Sequence, residues 1–305
     1  MIQAQGLTKR LGGNVVVEDV SFRCEPGTVT GFLGPNGAGK TTTMRMLCSL
    51  LEPDAGSASV LDRAYREFPN PGRRVGILLD AAAQHGGRRG REALAVSAEL
   101  MGVDEERVDD LLDVVGLNEG AARKRVRQYS LGMRQRLGIA HALLGDPQAL
   151  ILDEPANGLD PEGMRWMRAL LREFADRGGT VLLSSHLLHE VEAIADRMVI
   201  IGAGKIVAQG TRAELLAGGG TLVRATDDAA LASALTAAGL EPRAATDGGF
   251  VVDAEPEEVG RAALAGAVAL THLQPSESGG LEQLFFDLTT GAPDAPPTDL
   301  VEATS

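Results

Sequence analysis

The sequence predicts an α/β protein: a parallel sheet carrying a helical insertion, followed by a small α+β domain of ferredoxin-like element order. Three observations predict it. Strand signals at 28–33, 73–79, 149–152, 180–183 and 198–201 alternate with helical stretches, the pattern of a parallel sheet covered on both faces. Between about 81 and 145 the apolar spacing becomes helical, as at 94–101 and 107–115, so a mostly helical insertion divides the sheet-forming segments. After Ala217-Gly218-Gly219-Gly220 the chain restarts as strand 221–225, helix 228–238, two strands around Gly248-Gly249, helix 256–265 and strand 267–273, a βαββαβ order. These signals place one domain at 1–217, a second at 218–290 and a flexible tail at 291–305, where Pro293, Pro296 and Pro297 interrupt a stretch without apolar periodicity.

A chain of 305 residues suits one large domain with an appendage. Apolar residues make up 44% and aromatic residues 3%, so the core falls mainly to Ala, Val, Leu and Ile. The formal charge of -13 repels phosphate backbones, and no nucleic acid is expected as a partner. Two short basic clusters, Arg88, Arg89 and Arg91, then Arg123, Lys124, Arg125 and Arg127, read first as solvated faces and second as a docking patch. Cys24 and Cys48, without metal-ligand spacing, point away from a disulfide framework or structural zinc and toward a reducing cytoplasm. Met1-Ile2-Gln3-Ala4-Gln5 lacks the basic-then-apolar order of a leader, and no run of about 18 apolar residues occurs, so neither export nor a membrane span is expected.

Taken in order, residues 2–34 read as short alternating strands punctuated by Gly12-Gly13 and Pro26-Gly27, and a helix runs through Met44, Leu47 and Leu51. Between the last of these strands and that helix lies Gly34-Pro35-Asn36-Gly37-Ala38-Gly39-Lys40-Thr41, with Gly, Gly, Lys and Thr at phosphate-loop spacing. Gly34 and Gly39 let the backbone curl so that successive N–H groups face phosphate oxygens, and the helix start adds its positive end. Lys40 would reach the β and γ phosphates and Thr41 would ligate magnesium, with Thr42 the next hydroxyl at the same helix end.

Leu150-Ile151-Leu152-Asp153-Glu154 supplies the complement, a buried strand delivering two carboxylates to the sheet edge where the phosphate loop opens. Asp153 would hold magnesium through its water shell, and Glu154, just past the strand, is the candidate general base for an attacking water.

With these residues in place the chain resembles an ABC ATPase, a P-loop NTPase. Tyr129-Ser130-Leu131-Gly132-Met133-Arg134-Gln135-Arg136 resembles the family's signature loop, Ala156-Asn157-Gly158-Leu159-Asp160 its D-loop, and His186 after Ser184-Ser185 its switch histidine, all in family order across 6–210. The resemblance implies ATP and Mg2+ as cofactors and a head-to-tail homodimer in which Ser130 and Gly132 of one protomer close over the γ-phosphate held by the other. It also implies that Asp160 carries contacts across that interface and that His186 hydrogen-bonds the γ-phosphate.

Two positions depart from the family pattern. Leu11 stands where an aromatic ring usually stacks on adenine; losing that stack costs roughly 0.5–1.5 kcal/mol, and Val16 is the candidate flat apolar substitute. Asp80, reached without gaps through Val75-Gly76-Ile77-Leu78-Leu79, stands where the family has glutamine; it can meet magnesium through water but donates no hydrogen bond when ionised. Gln84 aligns beyond that site.

The resemblance implies a subunit that powers a separate membrane permease, placed on the inner face of the cell membrane, and is similar to bacterial ABC-2 exporters of the daunorubicin-resistance type. Export of an antibiotic or other amphiphile is the expectation. The alternative is a soluble ABC ATPase that acts as a nucleotide-gated switch on another macromolecule; such relatives carry a long coiled-coil insertion or two motor domains, and neither is visible here. A small-molecule kinase would have an acceptor pocket and lid in place of the Tyr129 to Arg136 and His186 motifs. The C-terminal domain has no ligand-type cluster, His272 stands alone, and a dimer-stabilising or regulatory role is expected of it.

Overall fold

A computed structural model of the chain describes residues 1–117, 119–216, 220–245 and 248–275. The chain divides into two compact units, the first running from Met1 to Gln209 and the second beginning at Gly210. The division precedes the glycine run at 218–220 because a helix starts first: the Thr211 N–H donates to Glu214 Oε2 (2.7 Å) and the Glu214 N–H to Thr211 Oγ1 (3.1 Å), a reciprocal cap.

The first unit opens with β1 (Ile2–Leu11), β2 (Asn14–Cys24), β3 (Val29–Leu33), α1 (Lys40–Leu47) and β4 (Ala55–Val60). An antiparallel sheet of order β2-β1-β4 turns at Gly12-Gly13, both at positive φ as the tight hairpin requires. β4 gives no strand signal because Ala55-Gly56-Ser57-Ala58-Ser59 are small residues without apolar alternation, at the sheet edge. The first helix stops short of Leu51: Ser49 turns left-handed (φ 52°) and leaves Leu50 exposed.

β5 (Val75–Leu78) leads into the helical insertion, α2 (Gly90–Met101), α3 (Glu106–Val114), α4 (Glu119–Ala122) and α5 (Leu131–Leu143). Then follow β6 (Ala149–Leu152), α6 (Pro161–Asp176), β7 (Thr180–Ser185), α7 (Leu188–Glu192), β8 (Arg197–Gly202), β9 (Lys205–Gly210) and α8 (Arg212–Leu216). The main sheet has the order β5-β6-β7-β3-β8-β9, with the first five strands parallel. β3, β6 and β7 are buried at every residue, which gives β6 its unbroken apolar run and leaves Thr30, Thr180, Ser184 and Ser185 as buried polar groups in the other two. Their carboxyl ends, side by side in the sheet, deliver Gly34, Asp153 and His186 to one edge. α5 rides so close to β5 that a Cβ at Gly76 would stand 2.0 Å from the Ala142 carbonyl oxygen, so only glycine fits there. Phe22, Phe32, Met44, Leu47, Ile151 and Ile201 anchor the core.

The second unit holds β10 (Thr221–Ala225), α9 (Asp228–Ala237), β11 (Pro242–Ala244), β12 (Phe250–Val252), α10 (Pro256–Ala265) and β13 (Leu270–Pro275). Its sheet has the order β11-β12-β10-β13 with every pair antiparallel, the arrangement that a βαββαβ order produces when both crossovers pack on one face. Val223, Leu231, Leu235, Val252 and Val259 form its core. β13 begins at Leu270, later than the predicted 267, because Ala267 turns left-handed (φ 51°) in closing α10. The expected tail at 291–305 lies outside the described residues. Among the described residues no helix is long and apolar enough to cross a membrane.

Candidate functional site

The loop between β3 and α1 is shaped by glycines, of which Gly34 and Gly39 leave no room for a side chain and Gly37 is set by its backbone angle alone. A Cβ at Gly34 would meet the Ile201 carbonyl oxygen at 2.4 Å, and one at Gly39 the Val16 carbonyl oxygen at 2.8 Å; Gly37 and Gly39 lie at φ 82° and 104°. Gly39 caps α1, whose first turn leaves its N–H groups without intrahelical partners. Lys40 follows, only 6% exposed, and its Nζ donates to the carbonyls of Gly34 (2.6 Å) and Pro35 (3.2 Å). Burial holds its ammonium below the usual lysine range, against the pull of Glu154 and Asp153. A buried cation in a glycine-shaped loop is a site that fits phosphate.

Asp153 emerges from β6, its N–H donating to the Leu78 carbonyl (2.6 Å). Thr41 Oγ1 donates to its Oδ2 (2.5 Å) and Ser184 Oγ to its Oδ1. Glu154 has a left-handed backbone (φ 47°), uncommon for a residue with a side chain. Its N–H donates to Ser184 Oγ (2.9 Å), and its carbonyl accepts from Gln135 Nε2 (2.9 Å) and the Asn157 N–H (3.1 Å). Its carboxylate spans two partners: Oε1 stands 3.6 Å from Lys40 Nζ and Oε2 2.9 Å from His186 Nδ1. The structure thus brings Lys40, Thr41, Asp153, Glu154 and His186 into one connected group.

Ser130 and Asp160 cap α5 and α6: Ser130 Oγ accepts from the Met133 N–H (3.2 Å) and Asp160 Oδ1 from the Gly163 N–H (2.9 Å). Their loops touch, since a Cβ at Gly132 would stand 2.7 Å from the Gly158 carbonyl oxygen. Arg136 adds a brace, donating to the Val115 carbonyl (2.8 Å) while its guanidinium lies 4.6 Å from the ring centre of Trp166. The two basic clusters also meet, through a bridge between Arg89 and Arg125, while Arg91 is paired with Glu105 and Asp109.

Three predicted positions sit differently. Leu11 is exposed at the hairpin tip, whereas Val16 is half-buried against the core and reaches the phosphate loop through its carbonyl oxygen beside Gly39. Asp80 is exposed and turns one carboxylate oxygen back to accept the Ala82 N–H (2.7 Å), capping the turn at 81–83. Sequence reasoning assigned no role to Gln135 or Ser184; both are buried polar groups near apolar segments, the signal that would have singled them out. Among the described residues no group of three or more His, Cys, Asp or Glu gathers to hold a metal. The Thr41 hydroxyl with the Asp153 carboxylate is a donor set that fits magnesium, which takes its remaining ligands from phosphates and water.

The ABC transporter family profile matches residues 17–157. The bacitracin transport ATP-binding protein BcrA of Bacillus licheniformis is 39% identical over 212 residues, 68% of this chain and 69% of that protein. The daunorubicin/doxorubicin resistance ATP-binding protein DrrA of Streptomyces peucetius is 40% identical over 220 residues, 70% of this chain and 66% of that protein. Among solved structures, a dimeric ATP-binding cassette in a post-hydrolysis state with ADP and Pi superposes with a TM-score of 0.64 over 69% of this chain and 98% of its own, at 20% identity.

Proposed function

This chain belongs to the ABC transporter family as an ATP-binding subunit and ATPase, and on that premise we propose how its residues divide the work. The carrying observation is the contact line from Lys40 through Glu154 to His186, beside the Thr41–Asp153 pair. Lys40 and the first-turn N–H groups of α1 bind the β and γ phosphates, with Gly34, Pro35, Asn36, Gly37, Ala38 and Gly39 forming the cradle and Thr42 behind them. Thr41 and Asp153 would hold Mg2+, with Asp80 reaching it through water by its second carboxylate oxygen. When bound, the ion neutralises phosphate charge as it develops.

Glu154 takes the proton of the attacking water, and His186, held by the same carboxylate, donates to the γ-phosphate. Ser130 and Gly132 at the N-terminal end of α5 close over the nucleotide of a second copy, with Asp160 at that interface. The nucleotide's adenine rests against Val16, with Leu11 at the rim. The subunit works on the cytoplasmic side, docked on permease subunits, and the names of its relatives favour a drug or peptide antibiotic as cargo. The second unit stabilises the dimer or regulates it; a chain ending at Gly218 with unchanged dimerisation and ATPase rate would remove that role.

The test is Glu154→Gln mixed with ATP and magnesium. It should bind ATP, release no phosphate and form a dimer that disappears when Ser130→Arg is added. Phosphate release at the wild-type rate would remove Glu154 from its role.

A further inference from the structure

We infer that Gln135 is a positioning residue for Glu154, coupling the helix that carries Ser130 and Gly132 to the general base of the same protomer. The inference rests on the reading of Glu154 as that base. Glu154 holds a left-handed backbone, a conformation that a non-glycine residue keeps only when its surroundings fix it. Its neighbours do so at both ends of the residue. The N–H is fixed by Ser184 at the end of β7, and the carbonyl by the Asn157 N–H within the same turn and by Gln135 Nε2 from α5. Of these partners Gln135 alone lies outside the main sheet and its own loop.

Gln135 is 3% exposed, so its carboxamide has left water, and its bond to Glu154 is what compensates it. It sits on the second turn of the helix that Ser130 caps. Any shift of α5 against β6 therefore pulls on the Glu154 carbonyl and tilts the carboxylate that faces Lys40 and His186. Closure of Ser130 and Gly132 over one nucleotide would in this way set the base that acts on the other, so that each site of the dimer reports its occupancy to its neighbour.

Gln135→Met keeps the volume and removes the donor; Gln135→Glu replaces it with an acceptor that becomes a donor only when protonated. In the full chain, Gln135→Met should lower kcat roughly tenfold to a hundredfold with KM for ATP and Tm little changed, the pattern of a displaced reacting group. For Gln135→Glu, the ratio of its kcat to wild type should rise as pH falls from about 8 to about 6, because burial lifts a carboxyl above its usual value. An unchanged kcat in both variants would overturn the inference. So would a flat pH ratio in which kcat, nucleotide affinity and Tm fall together, since that is a packing role. Glu154→Gln run in parallel keeps the two readings apart: if it turns over ATP, the base assignment fails; if it is inactive while both Gln135 variants are normal, only the coupling fails.

Discussion

His186 Nδ1 lies 2.9 Å from Glu154 Oε2, while the other oxygen of that carboxylate stands 3.6 Å from Lys40 Nζ. The carboxylate is thus aimed from two sides, by a buried cation and by an exposed ring. Removing the ring leaves Lys40 as the carboxylate's one side-chain partner among the described residues and lets it collapse onto that ammonium. His186→Ala should lower kcat for phosphate release by roughly 10²- to 10³-fold, the usual cost of removing one hydrogen-bond donor from a developing negative charge, with ATP affinity changed far less. Wild-type turnover at saturating ATP would detach His186 from the reaction.

Lys40 makes the pH dependence of stability specific. Its folded pKa is depressed below the usual 10.5 by burial. Between the folded value and 10.5 the unfolded chain holds a proton that the native chain has lost, so native stability rises with pH through that window. Cys24 and Cys48 act in the opposite sense: burial pushes both thiols up to about 12, so above 9 the unfolded chain loses protons that the native chain keeps, and stability falls. Denaturant unfolding of wild type and Lys40→Met in parallel cancels the cysteines. The wild-type minus variant difference should rise as pH approaches 10.5, and the Tm increase produced by ATP should vanish in Lys40→Met.

The same thiols give an independent readout of the nucleotide. Both are buried and protonated at neutral pH, hence poor nucleophiles. A disulfide reagent should leave native protein unmodified, label two thiols per chain in denaturant, and react under native conditions only as fast as the chain opens. ATP with magnesium should slow that reaction by the factor 1 + [L]/Kd when opening is rapid and reversible. Fast labelling of native protein at neutral pH would contradict the packing of Cys24 or Cys48.

What was legible in the sequence follows from which forces are local. β6 could be read because a strand buried on both faces is apolar throughout, β7 through its apolar centre Val181-Leu182-Leu183, and the phosphate loop because its glycines and Lys40 lie in one short segment. β4 could not, since its pairing with β1 is set by the partner strand while its residues ahead of the buried Val60 are small and show no apolar alternation. Ser130 and Asp160 were reached through the family resemblance, and the structure adds that both are helix caps in contacting loops. Gln135 and Ser184 stayed silent because each acts on Glu154 through space, from 19 and 30 residues away in the chain. Asp80 is marked by its place after β5, but the turn that claims one of its carboxylate oxygens forms only in the folded chain.

The brace between α5 and α6 yields a prediction about how the helical insertion moves. Trp166 donates to the Val114 carbonyl (2.9 Å) and Arg136 to the Val115 carbonyl (2.8 Å), so both helices grip the end of α3, with the guanidinium stacked on the indole. Arg136→Ala removes a charge-assisted hydrogen bond and a cation–π contact at a half-buried site, which should cost about 1–3 kcal/mol in unfolding free energy. Arg136→Lys keeps the charge but not the planar stack, so it should recover only part of that loss. Trp166 is the only tryptophan of the chain, and its emission reports the contact directly. If α3, α5 and α6 move as one body, ATP and magnesium should leave that emission unchanged in wild type. In Arg136→Ala the emission should become ATP-sensitive, because the Ser130 loop can then move without the Asp160 loop. A wild-type emission that shifts on adding ATP would show instead that the brace opens during the cycle.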